Sequence, residues 1–149
     1  MGVTSQTYVG ITAPAGSSTN WAGWGTTTAT TANLPPSGTE AVQGDYDNIE
    51  ADDALWWNSF ASVGQGKAVH YFRIYVDQPS ISQLVLHVHN IGGNAGIGWG
   101  ADVAILNAAT SQWNAVGGHT SSTTTQDISA FITESPGNYR SGSNYLWVS

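Results

Sequence analysis

The chain contains no cysteine. That excludes disulfides, thiolate nucleophiles and cysteine–zinc sites, and leaves the compartment open. Basic charge is almost as scarce. Lys67, Arg73 and Arg140 are the 3 basic residues, and the formal net charge is −7. So few cations build no stripe along a phosphate backbone, which excludes nucleic acid as a partner. They give no grip on anionic lipid either. No apolar run reaches the ~20 residues of a membrane helix, so no membrane partner is expected. Charged residues make up 9% of the chain, against about 25% in ordinary soluble proteins. Surface polarity must therefore come from Thr, Ser, Asn, Gln and Gly. The first residues, Met1-Gly2-Val3-Thr4, lack the charged start and apolar stretch of a secretory signal. The composition is nevertheless that of secreted bacterial or archaeal surface domains. The expectation is an extracellular fragment, tethered to other domains of a larger chain.

At 149 residues the chain fits a single domain with its own core. Helix formers are sparse, while Thr, Val, Tyr, Trp and Gly abound. Short apolar or alternating runs are punctuated by Gly, Asn, Ser and Pro. This pattern predicts an all-β fold, an antiparallel β-sandwich of jelly-roll type. Strands are expected at 68–76, 82–90, 101–106, 113–116, 123–128, 131–133 and 144–148, with 101–106 central. Turns are expected at 107–110 and at Gly117-Gly118, and a flexible loop at 92–96. Residues 1–38 read as a linker or an added N-terminal edge, and residues 39–149 as the sandwich. Trp21 and Trp24 argue against simple disorder in the first segment.

Residues 46–148 resemble the discoidin-like and carbohydrate-binding-module jelly rolls of secreted proteins. The residues that carry the likeness are Ile49-Glu50-Ala51-Asp52-Asp53, the strand Tyr71-Phe72-Arg73-Ile74-Tyr75-Val76 leading into Ile81-Ser82-Gln83-Leu84, Ile105-Leu106-Asn107, Thr110-Ser111-Gln112-Trp113 and the closing run 139–148. Asn107-Ala108 stands where the group often has a tryptophan. The resemblance implies a non-catalytic accessory domain, and it does not carry over individual binding residues.

Aromatic rings are plentiful, with 7 Trp, 6 Tyr and 3 Phe. Sugars stack their C–H faces on rings and offer hydroxyls to planar donors and acceptors nearby. Strand alternation puts Phe72, Ile74, Val76, Leu84, Leu86 and Val88 inward, with His70 among them. It puts Tyr71, Arg73, Tyr75, His87 and His89 outward. If Leu146 and Val148 point inward, Tyr145 and Trp147 join the outer set. Of the Trp56-Trp57 pair at most one is core, and Trp56 is expected outside. Trp99, in a Gly-rich stretch, is either a sugar platform or a plug for one end of the sandwich. The candidate sugar-binding set is thus Trp56, Tyr71, Arg73, Tyr75, His87, His89, Trp99 and Trp147. Exposed rings of this kind are equally well buried by neighbouring domains.

Glu40, Asp45, Asp47, Glu50, Asp52 and Asp53 gather most of the 10 acidic residues into one stretch. Oxygen-rich loops suit Ca²⁺, and Asp45, Asp47, Asp52 and Asp53 are the candidate ligands. The resemblance also makes a structural Ca²⁺ plausible. No EF-hand register is present, and a solvated acidic loop explains the cluster as simply. His87 and His89, two apart on a strand, share a face, but the sequence places no third ligand for zinc. Catalysis has little support. The remaining acids are scattered, and no nucleophile elbow, phosphate loop or zinc-protease helix is present. The expected function is non-catalytic polysaccharide binding. The alternative is a structural or adhesive module, such as a surface-layer, filament or spacer domain.

Overall fold

A computed structural model describes residues 20–27, 39–49, 67–90, 93–94, 97–122 and 124–149. The chain divides into two compact units between Tyr75 and Val76.

In the first unit, β1 (Trp21–Thr27) pairs antiparallel with β2 (Thr39–Glu40) and, along its whole length, with β3 (Lys67–Tyr75). The segment read as linker or added edge thus supplies a strand that is paired on both sides. β3 is a run of β-branched and aromatic residues, which favour the pleated conformation. The register sets Ala22 opposite Phe72 and Trp24 opposite His70, so these side chains share one face. A helix, α1 (Gln43–Ile49), covers that face. Ala22, Ala41 and Tyr46 are buried there, with Trp24, Ile49, Phe72 and Ile74 packed around them. The Tyr46 hydroxyl accepts the Ala22 N–H at 2.9 Å and donates to Glu40 Oε1 at 3.2 Å, pinning α1 to both strands. Burial, above all, raises the pKa of this phenol.

The sequence reading missed α1. Its start signal is Asp45, whose carboxylate reaches back to accept the Val42 N–H at 3.2 Å. That is half of a capping box, and the same carboxylate faces the positive end of the helix. Gln43 and Asp47 add a side-chain hydrogen bond at 2.8 Å one turn apart.

The described residues of the second unit form six strands. β4 (Leu84–Asn90) pairs antiparallel with β8 (Gln126–Ile132). β5 (Gly93–Asn94) meets the start of β6 (Ile97–Asn107), within the stretch expected to be loop. β6 pairs with β7 (Gln112–Ser122) on one side and with β9 (Tyr145–Val148) at Ile105. Ile105 therefore lies between two strands, so β6 is central as its apolar run predicts. Val103, Ile105, Leu146 and Val148 are buried, as are Ile128, Ala130 and Ile132 of β8. Full burial of the Val, Leu and Ile side chains among them is worth ~1.5–3 kcal/mol each.

Gly117-Gly118 is not a turn. Both glycines lie inside β7, which carries an extra residue relative to β6 at two places. A Cβ on Gly118 would stand 2.6 Å from the Ala101 carbonyl oxygen, and one on Gly117 would collide with Ile128 Cγ2. Glycine is used here for close approach, which lets Ile128 of β8 rest directly on the β7 backbone.

Candidate functional site

The outward face of the β4–β8 ribbon is the best-defined candidate surface. Along β8 burial alternates strictly, with Asp127, Ser129 and Phe131 exposed between Ile128, Ala130 and Ile132. The register then fixes the rows of that face: Val85 opposite Phe131, His87 opposite Ser129, His89 opposite Asp127. Rows on one face repeat every ~6.7 Å, so the whole face extends about 13 Å along the strands. At one end Phe131 is 68% exposed and Val85 46%. Next to them His87 Nδ1 and Ser129 Oγ share a hydrogen bond of 2.9 Å. At the far end His89 Nδ1 lies 3.1 Å from Asp127 Oδ1. A carboxylate only accepts, so the proton of a neutral His89 sits on Nδ1 and its Nε2 is an acceptor. The face thus sets an apolar ring beside a hydroxyl, two imidazoles and a carboxylate, all held by cross-strand bonds.

Several predicted site residues fall elsewhere. His87 and His89 are exposed on β4, as alternation requires. Tyr71 is not on an outer surface: it is 2% exposed. Its strand is covered on both sides, and alternation separates two faces without telling which one is wet. Gly23, its partner on β1, carries the Trp21 ring folded across it on the Tyr71 side. Arg73, opposite Trp21, is half-buried, and Tyr75 is 38% exposed at the end of β3. Trp147 and Tyr145 are half-buried on β9, across the pleat from buried Leu146 and Val148. β9 pairs with β6 and β4 with β8, so Trp147 is not in the His87–His89 row. Trp99 is a β6 residue opposite Ser122, and its side chain lies outside the described residues. Trp56 lies outside them as well.

The calcium expectation divides the same way. Asp45 and Asp47 are helical rather than in a loop, and two positions apart on a helix they do not face each other. Their carboxylates serve Val42 N–H and Gln43 Nε2. Asp52 and Asp53 lie outside the described residues. Among the described residues no group of three or more His, Asp or Glu side chains is placed to hold a metal. His70, expected inward, lies on the face under α1 with its ring edge-on to Phe72 at 6.3 Å. Burial lowers its pKa to about 4, against the opposing pull of Asp45.

Sequence reasoning missed Phe131 as a site residue. The signal was present in Ile128-Ser129-Ala130-Phe131-Ile132, whose apolar set at even positions throws the phenyl ring outward.

Comparison of the chain with protein-family models, with curated proteins and with solved structures gave no match.

Proposed function

We propose that the chain is a non-catalytic polysaccharide-binding module of a larger secreted protein, and that it meets its polymer on the outer face of the β4–β8 ribbon. One observation carries this reading: Phe131 is 68% exposed on the same face as the hydrogen-bonded pairs His87–Ser129 and His89–Asp127. A phenyl ring offers the stacking surface that a pyranose C–H face seeks. The imidazoles, hydroxyl and carboxylate offer donors and acceptors to hydroxyls on either side. An open face on a two-stranded ribbon suits the interior of a long chain rather than its end. The contact of Ile128 with Gly117 supports a sandwich-like packing of this ribbon on β7.

Affinity gel electrophoresis across a panel of neutral polysaccharides tests the proposal. The folded chain is retarded on at least one polymer. F131A weakens that retardation roughly 2- to 12-fold, the equivalent of ~0.5–1.5 kcal/mol for an aromatic contact. Migration unaltered on every polymer, by protein shown to be folded, overturns it.

The exposed Val85–Phe131 row also supports an adhesive reading, in which a protein partner covers it. Self-association in sedimentation that F131A abolishes, with no effect of any polymer, would favour that alternative.

A further inference from the structure

A concave feature lies in the second unit, beside the β6–β7 turn. It is a cleft of about 320 Å³ lined by Asn107, Asn114, Glu134, Ser135, Asn138 and Tyr139. That volume stands at the small end of ligand pockets, which run from about 300 to 1,000 Å³.

Its walls are fixed by internal bonds. The Asn107 Oδ1 accepts the backbone N–H groups of Ala109 and Thr110 at 3.0 and 3.2 Å. This Asx turn closes the β6–β7 connection and occupies Oδ1. The Asn114 Nδ2 donates to the Tyr139 hydroxyl at 3.0 Å. The Asn138 carbonyl accepts N–H groups of Ala108 and Ala109, which fastens a short 3₁₀ turn (Pro136–Tyr139) to the β6–β7 connection. Before that turn, Ser135 is held at φ 47°, a left-handed conformation, beside Glu134 at the rim.

These bonds use only part of each group's capacity. Among the described residues, the Asn107 Nδ2, the Asn114 Oδ1, the Asn138 carboxamide, the Ser135 hydroxyl and the Glu134 carboxylate make no protein hydrogen bond. The cleft therefore presents Asn107 and Asn114 as planar amides already ordered by folding, with the Asn138 carboxamide, the Ser135 hydroxyl and the Glu134 carboxylate around them. Among the described residues no cation lines it, which gives no grip on a phosphate or carboxylate ligand. Among the described residues no aliphatic side chain lines it either, and the lining is mostly polar, which disfavours an apolar ligand.

We infer that this cleft is a binding site for one neutral sugar unit, separate from the β4–β8 face. Asn107 and Asn138 donate to ligand oxygens, Asn114 Oδ1 and Glu134 accept from its hydroxyls, and the Tyr139 ring lies alongside. This inference stands on the cleft alone and survives if Phe131 binds no polymer.

Titration of the ¹⁵N-labelled full chain with D-glucose, D-galactose and D-mannose, and with their β-linked disaccharides, tests it by NMR. The expected result is saturable shifts in the side-chain NH₂ signals of Asn107, Asn114 and Asn138 with at least one sugar. E134Q, on the exposed rim, weakens binding at least 3-fold and keeps the fold. N114A abolishes the shifts at Asn107 and Asn138. Response to the monosaccharide only marks a free sugar as ligand, whereas an equal response to the disaccharide marks a chain end. Absence of saturable shifts with every sugar overturns the inference. So do shifts confined to β4 and β8, or shifts that persist at full strength in both N114A and E134Q.

Discussion

His70 shows how a single side chain couples this fold to pH. It stays neutral in the folded chain down to about 4, whereas an unfolded chain protonates it near 6.5. Between those values the unfolded state binds more protons, so stability falls as pH falls. The contribution is complete above about pH 6.5 and amounts to about 2–4 kcal/mol when lost near pH 4. Urea unfolding at pH 7 and pH 4.5 measures it. The wild-type difference between the two pH values shrinks by about 2 kcal/mol in H70Q, which cannot titrate. An equal difference in both proteins would remove His70 as the cause. The inward placement of this histidine was legible from alternation alone. The burial of Tyr71, one residue on, was not, because the cover over its face comes from another part of the chain.

At the level of elements, glycine marks where the strands and the helix differ in what they tolerate. A Cβ on Gly118 meets a backbone oxygen at 2.6 Å, while one on Gly44 of α1 meets nothing within 4 Å. G118A forces β6 and β7 apart and lowers stability by ~1–3 kcal/mol. G44A relieves the entropy cost of glycine in a helix and raises stability by ~0.5–1 kcal/mol. Thermal melts of the two variants check the opposite signs, and a neutral G118A would mean that the bulged strand relaxes freely. Most strands were readable from their alternating or apolar runs. The partner of β4 was not, since β8 joins it only after β5, β6 and β7 have intervened. Without that pairing the face carrying Phe131, Ser129 and Asp127 beside the two histidines has no visible form. α1 was hidden by its shortness and its Gly and Asp content, which read as loop until the Asp45 cap is seen.

The molecule as a whole carries little charge to place at any interface. With 3 basic residues and 10 acidic ones in 149, the proposed binding of a neutral polymer would rest on rings and hydrogen-bonding groups rather than on ion pairs. Polymer retardation should therefore be nearly independent of salt. Raising ionic strength from about 0.01 to 1 M shortens the Debye length from about 30 to 3 Å, and the affinity should change less than about 2-fold. A 10-fold loss over that range, seen by affinity electrophoresis, would instead give the binding to the acidic groups. Among the described residues no helix is long and apolar enough to cross a membrane.

The two extra residues of β7 have a further consequence. Each one slips the in–out rhythm of the strand by half a period. In the backbone register Ile105 pairs with Asn114, Val103 with Gly117 and Trp99 with Ser122, so the pairing slips by one residue at each of the two places. The second slip restores the rhythm that the first one breaks, much as a second frameshift restores a reading frame. A lineage that lost only one of these residues would turn one end of β7 inside out, so the two insertions are bound to be kept or lost together.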